Sequence, residues 1–263
     1  MTLYSHELKS NRVTFAVWLL SVAAFCCFCI FLFPTAKESM SDLSDAFAGM
    51  GAFSTAFGMD KLSIATLEGF FGTEIGTIYA LGSGMYAALL GVGMLAKEEG
   101  GHTAEFLHTL TLSRAGIVTQ KLLASLTLLT AFDLLCFGSF LVSIAIVKES
   151  MDMTSLTGYM LAQYLCQITL FSICFALSAA LRRGGMGVGL GLALMFYMLD
   201  IISRITDKMD FLRYITPFSF SNATDVFVNK GAVEVVPAVI SGIAAVIGMA
   251  VAYGIYCRKD IAS

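Results

Sequence analysis

With 263 residues, 57% of them hydrophobic and only 13% charged, and a mean hydropathy of +0.82, the chain lacks the polar surface that a water-soluble fold requires. Its net charge of -3 leaves no basic footprint for nucleic acid. Hydrocarbon satisfies no backbone N–H or C=O group, so such a chain must cross a bilayer as helices or as a closed barrel. The long unbroken apolar runs select helices and predict an all-α integral membrane protein.

In chain order, MTLYSHELKSNR sets Leu3, Tyr4 and Leu8 near one helical face, with Lys9 and Arg12 available to lipid headgroups, which predicts a short interfacial helix. Apolar runs long enough to span a bilayer follow. They predict six spans at 13–34, 75–96, 120–147, 157–181, 186–203 and 234–257, all within one membrane domain covering residues 1–263. The first is too long for the apolar stretch of a signal peptide and reads as a retained span. The three prolines, Pro34, Pro217 and Pro237, are each expected at a segment boundary, where they leave the helices intact. The stretch from Thr35 to Glu74 mixes five phenylalanines with Gly and Ser and exceeds an ordinary connection, so it should carry structure of its own. The cysteines lie in apolar runs or at their ends and are read as small apolar fillers, not as a disulfide framework.

An even number of spans places both termini on one side. On that side fall nine of the 16 basic residues, including the Arg182-Arg183 and Arg258-Lys259 pairs at span ends, and the positive-inside rule makes it cytoplasmic.

The most informative polar stretch is Lys97–Lys121, KEEGGHTAEFLHTLTLSRAGIVTQK, between spans two and three. After Gly100-Gly101, Thr103 is placed as an N-cap and Glu105 lies in the first turn, where an acid favours the helix dipole. Phe106, Leu107 and Leu110 then form an apolar stripe, which predicts a short amphipathic helix. Ser113 can cap the helix that follows. A connecting helix lying on the membrane would have the same periodicity.

Within the spans, Asp133 falls midway through the third, where an isolated charge is costly. Gln163 and Gln167 of span four are one turn apart on one face and are its candidate partners. The trio is either a polar patch on a substrate or ion pathway or hydrogen-bonded glue between helices. Asp200 is expected at the interface. Gly187 and Gly191, at small-x-x-x-small spacing, suit close helix packing. A phosphate loop, Gly-x-x-x-x-Gly-Lys-Ser/Thr, is absent from the sequence, so any ATPase must be a separate polypeptide.

The Glu-Glu-Gly-Gly-x-Thr-x-Glu-Phe-Leu run of Glu98–Leu107, then Leu112-Ser113-Arg114 and Lys121, resembles the cytoplasmic signature of type-2 ABC exporter permeases. Tyr214-Ile215-Thr216-Pro217-Phe218 before the last span and Tyr256-Cys257-Arg258-Lys259-Asp260-Ile261 agree with it. The sequence departs from the usual pattern at Thr111-Leu112, in place of Pro-Val, and at His102, which separates Gly101 from Thr103. The resemblance implies a permease in a bacterial plasma membrane, paired with a second, identical or homologous permease and with two ABC ATPase subunits. It implies no cofactor in this chain, with ATP and Mg held by the partner ATPase. It also implies that the short helix is a coupling helix, in which Glu98, Glu99, Gly100, Thr103, Glu105 and Phe106 form the ATPase-facing interface.

Two other classes compete. Gly82-Ser83-Gly84 has the outline of an intramembrane serine nucleophile, but His6, His102 and His108 all fall outside the spans, so no Ser/His dyad forms in the bilayer. A non-transporting membrane scaffold or immunity protein would share the spans but would associate with no ATPase.

Overall fold

The computed structural model describes residues 3–100, 113–181 and 185–259, apart from the side chains of 38, 41–48, 98–100 and 207. No strand occurs among the described residues. Six helical segments are long and apolar enough to cross a membrane, in the order the hydropathy predicts: Leu3–Lys37, Leu67–Lys97, Arg114–Val147, Met153–Ala180, Met186–Ile205 and Val235–Arg258.

Helix α1 runs unbroken from Leu3 to Ala48. The expected interfacial segment is therefore the first turns of a long helix and is not set apart by a break. Pro34 lies inside α1, not at a boundary. An interior proline removes one backbone hydrogen bond and crowds the preceding turn. Here Phe33 packs on Phe70 with ring centroids 5.4 Å apart, and Lys37 Nζ binds the Glu149 carboxylate at 2.8 Å, so both flanks of the proline are held. Pro237 sits in the first turn of α9 (Val235–Arg258), where its missing N–H has no intrahelical partner to lose.

The remaining long helices are α4 (Gly76–Gly100), α5 (Arg114–Val147), α6 (Met153–Ala180) and α7 (Met186–Ile205). As its position suggests, Ser113 caps α5, its hydroxyl accepting from Gly116 N at 3.1 Å. Asp152 caps α6 by accepting from the N–H groups of Thr154 and Ser155, both at 3.1 Å. The Ser155 hydroxyl also donates to it, and these hydrogen bonds, led by that of Ser155, hold its carboxyl below the usual carboxylate range.

Helices α4, α6 and α9 run parallel, with α6 in the middle. The register with α4 is fixed by Tyr159 Oη donating to Gly76 O at 2.7 Å near one end and by Ser178 Oγ accepting from Leu95 N at 2.9 Å near the other. Glycine permits the close approach: a Cβ on Gly91 would stand 2.6 Å from Phe171 O, and one on Gly248 2.9 Å from Ser172 O. Helix α1 packs parallel to α5, and α7 lies against α4. In the most apolar stretches, α4 and α6 are 67% and 61% buried and the other spans at most 33%, which leaves their leucine, valine and isoleucine faces to lipid.

The stretch after α1 does carry structure. Helices α2 (Ala52–Phe57) and α3 (Leu67–Phe70) and a π-helical turn, Phe71–Ile75, lead into α4. Thr66 caps α3, and Thr224 of α8 (Ala223–Val228) donates to Gly72 O at 3.2 Å. Beneath them Phe71, Tyr79, Phe140, Tyr159 and Phe227 form a mostly edge-on aromatic cluster, with centroids 5.3 to 6.4 Å apart.

Of the glycine stripe on α7, it is Gly189 that meets a neighbour, with a Cβ position 3.0 Å from Ala88 O; Gly187 and Gly191 face open space. The expected packing role of Gly187 and Gly191 is thus not exercised within this chain, because the turn facing α4 is the one between them.

Candidate functional site: a braced end and a polar interior

Glu7, in the second turn of α1, is fully buried. Its Oε1 accepts from Lys121 Nζ at 2.8 Å, and its Oε2 accepts from Lys97 Nζ. Lys121, also fully buried, donates in addition to Met94 O at 2.8 Å. One carboxylate thereby grips the last turns of α4 and the first turns of α5, the two helices that bracket the 97–121 segment. Removing ions from water costs several kcal/mol each, so a buried pair persists only where geometry and further hydrogen bonds return that cost. Adjacent contacts align the same elements: Tyr4 N donates to Gln120 Oε1 at 3.1 Å, and Tyr4 Oη lies 3.1 Å from Thr127 Oγ1. On the far side of α5, Arg114 donates to Lys259 O at 2.7 Å, and Lys259 Nζ donates to Leu181 O at 2.9 Å, drawing in the ends of α9 and α6.

This end bears on the expected coupling residues. Glu98, Glu99 and Gly100 close α4 as helical backbone. Thr103, Glu105 and Phe106, and with them the expected coupling helix, lie outside the described residues.

In the interior, Asp133 is 8% exposed, and its Oδ1 accepts from Tyr79 Oη at 2.7 Å and from Gln167 Nε2 at 3.1 Å. Asp133 and Gln167 are thus brought together, with Tyr79 of α4 as a third member that the sequence reading missed. A tyrosine within an apolar run reads as packing, and nothing local marks its hydroxyl as a donor. Gln163, one turn from Gln167, does not reach Asp133. It donates to Ala80 O at 3.3 Å and Ser83 Oγ at 3.2 Å. The Oε1 atoms of both glutamines are buried without a hydrogen-bond partner, so this seam between α4, α5 and α6 holds acceptor capacity that its own contacts do not use.

At the opposite end of the bundle, a cavity of about 660 Å³ is lined by charged side chains of both signs. Lys61 binds Asp225 at 2.6 Å, Arg213 binds Glu234, and Arg204 binds Asp200 one turn earlier on α7. Asp200 is not a solvated interfacial residue. It is 1% exposed, and its Oδ1 has no partner. No group of three or more His, Cys, Asp or Glu side chains among the described residues could hold a metal ion.

Six helices long and apolar enough to cross a membrane define the class, a multi-pass α-helical membrane protein. The sequence profile of the ABC-2 family transporter proteins matches residues 1–261, and the chain belongs to that family. No curated protein matches the chain. Members of this family are the membrane components of transporters, so the chain is a permease-type transport component and not itself an enzyme.

Proposed function

We propose that this chain is the path-forming permease of an ATP-driven exporter, with both termini on the cytoplasmic side of a bacterial plasma membrane, and that ATP is hydrolysed with Mg by a separate ABC ATPase docked on the 97–121 segment. A second permease, identical or homologous, completes the path, and Met195 and Met198, exposed on one face of α7, are the residues turned to it. The observation that carries this reading is the Glu7 brace. The segment assigned to the ATPase lies between Lys97, in the last turns of α4, and Lys121, two turns into α5, and one buried carboxylate holds both. A push on that segment is therefore delivered to α1, α4 and α5 together, which suits rigid-body switching between inward-facing and outward-facing states. Phe106 is assigned as the apolar anchor of the docking surface and Glu98, Glu99 and Glu105 as its acidic rim, with Gly100 and Thr103 as further members of that interface.

The test exchanges Glu98 and Glu99 for lysine in the assembled transporter. Transport is read as resistance to whichever compounds lose potency when the intact system is expressed. ATP hydrolysis should continue while transport per ATP falls. Transport at the normal rate per ATP would remove these two residues from the coupling interface.

A further inference from the structure

Between α1 and α4, on the side of the bundle away from the α5 contact, lies an open crevice of about 250 Å³. Its walls are Trp18, Leu90 and Met186, and Tyr86, stacked on Phe132 at 4.7 Å, closes its deep end. Asn11 and Lys97 stand at its other end, where the Lys97 side chain is 33% exposed. At 1.5 Å per helical residue, the crevice extends from Asn11 about 10 Å along α1 to Trp18, and from Lys97 about 16 Å along α4 to Tyr86. Its apolar walls belong to segments long and apolar enough to cross a membrane, and the Lys97 ammonium stands at the end of one of them, Leu67–Lys97. Gly93 lines it, and a Cβ built there meets nothing within 4 Å, so no side chain of the described residues fills the space.

We infer that this crevice is a binding site for an anionic phospholipid of the surrounding leaflet, with one acyl chain laid along Trp18, Leu90 and Gly93 and the phosphate on Lys97. Charge and depth together make the assignment. The acyl chain replaces contacts that the crevice walls otherwise lack, and Lys97, whose long apolar stem lies along the wall, presents its ammonium at headgroup level. The Glu7 carboxylate already engages Lys97, so phosphate and Glu7 compete for one ammonium. Lipid occupancy is then reported to the residue at which α4 leaves the bundle for the 98–113 segment. This inference does not depend on the ATPase assignment.

Trp18 is the only tryptophan in the sequence, which makes the site self-reporting. The full chain, purified in a nonionic detergent, is titrated with phosphatidylglycerol or phosphatidylcholine carrying dibrominated acyl chains while tryptophan emission is followed. Quenching should saturate, with phosphatidylglycerol half-saturating at about two- to fivefold lower mole fraction, the size of one partly screened charge contact. Lys97→Gln should remove that preference. Gly93→Leu should abolish the saturable component, and Gly93→Ala, a smaller change in open space, should weaken it. Gly138→Leu, on an open face of α5, should leave it unchanged. Circular dichroism and gel filtration establish that each variant is folded. Three outcomes would overturn the inference: quenching that never saturates, identical curves for the two lipids, or a Gly93→Leu curve matching that of the unaltered chain. Loss of quenching as the chain self-associates would assign the crevice to a second copy instead and would equally overturn it.

Discussion

At the scale of single residues, two buried carboxylates behave differently. Glu7 is held by two lysines, and replacing it by alanine removes the shared partner of a fully buried ammonium, a change that costs about 3–5 kcal/mol in buried pairs. Chemical denaturation in detergent should show a loss of that order. A Glu7→Ala chain as stable as the original would mean that the brace is not populated in the membrane protein. Asp133 is held by neutral donors, so Asp133→Asn keeps an acceptor for Tyr79 and Gln167 and should change stability little, whereas Asp133→Leu strands a hydroxyl and an amide at about 1–3 kcal/mol each. Transport by Asp133→Asn then separates the two roles. An unchanged rate leaves Asp133 as glue between helices, and a lost rate with intact assembly makes it part of an ion or substrate path. Of these residues, Asp133 and Gln167 were legible in the sequence, because an acid in an apolar run demands a partner and two glutamines one turn apart share a face. Glu7 was not. A carboxylate in an amphipathic leader looks like headgroup charge, and its partners lie 90 and 114 residues along the chain.

At the scale of elements, helix contacts rest on where a side chain is missing. Gly91→Val places carbon where Phe171 O already stands, with no flexible side chain to yield, and should cost about 1–3 kcal/mol by forcing α4 from α6. Gly191→Ala meets open space and gains helix propensity, so the isolated chain should be unchanged or slightly more stable. Thermal unfolding of the two variants should differ in this order, and equal loss in both would contradict the α4–α6 geometry. The start of α6 should be acid-sensitive. A carboxyl whose folded pKa is depressed contributes stability fully present above the ordinary carboxylate range and lost as pH falls through the lowered value, so amide exchange at Thr154 and Ser155 should accelerate at acid pH and not at neutral pH. Spans were legible from hydropathy because their length is set by the bilayer. Their ends were not: Pro34 reads as a stop, yet α1 continues through it because Phe33 and Lys37 are anchored by residues distant in sequence, a tertiary effect that local rules cannot register.

At the scale of the whole molecule, the bundle has two unlike ends. One is tied by Glu7, Arg114 and Lys259 across five helices, and the other opens into a charged vestibule over an aromatic cluster. In the proposed reading the tied end is the one that receives the push of the ATPase, and the open end is the one through which a polar group passes. The decisive measurement is placement of the photo-crosslinking residue p-benzoylphenylalanine at position 106, with position 61 in the vestibule as the comparison, in cells that make the complete transport system. Irradiation should join position 106, and not position 61, covalently to an ATP-hydrolysing subunit. Irradiation that yields no such adduct from position 106, or from 103 or 105 beside it, would contradict the assignment of the 97–121 segment as the seat of a separate ATPase.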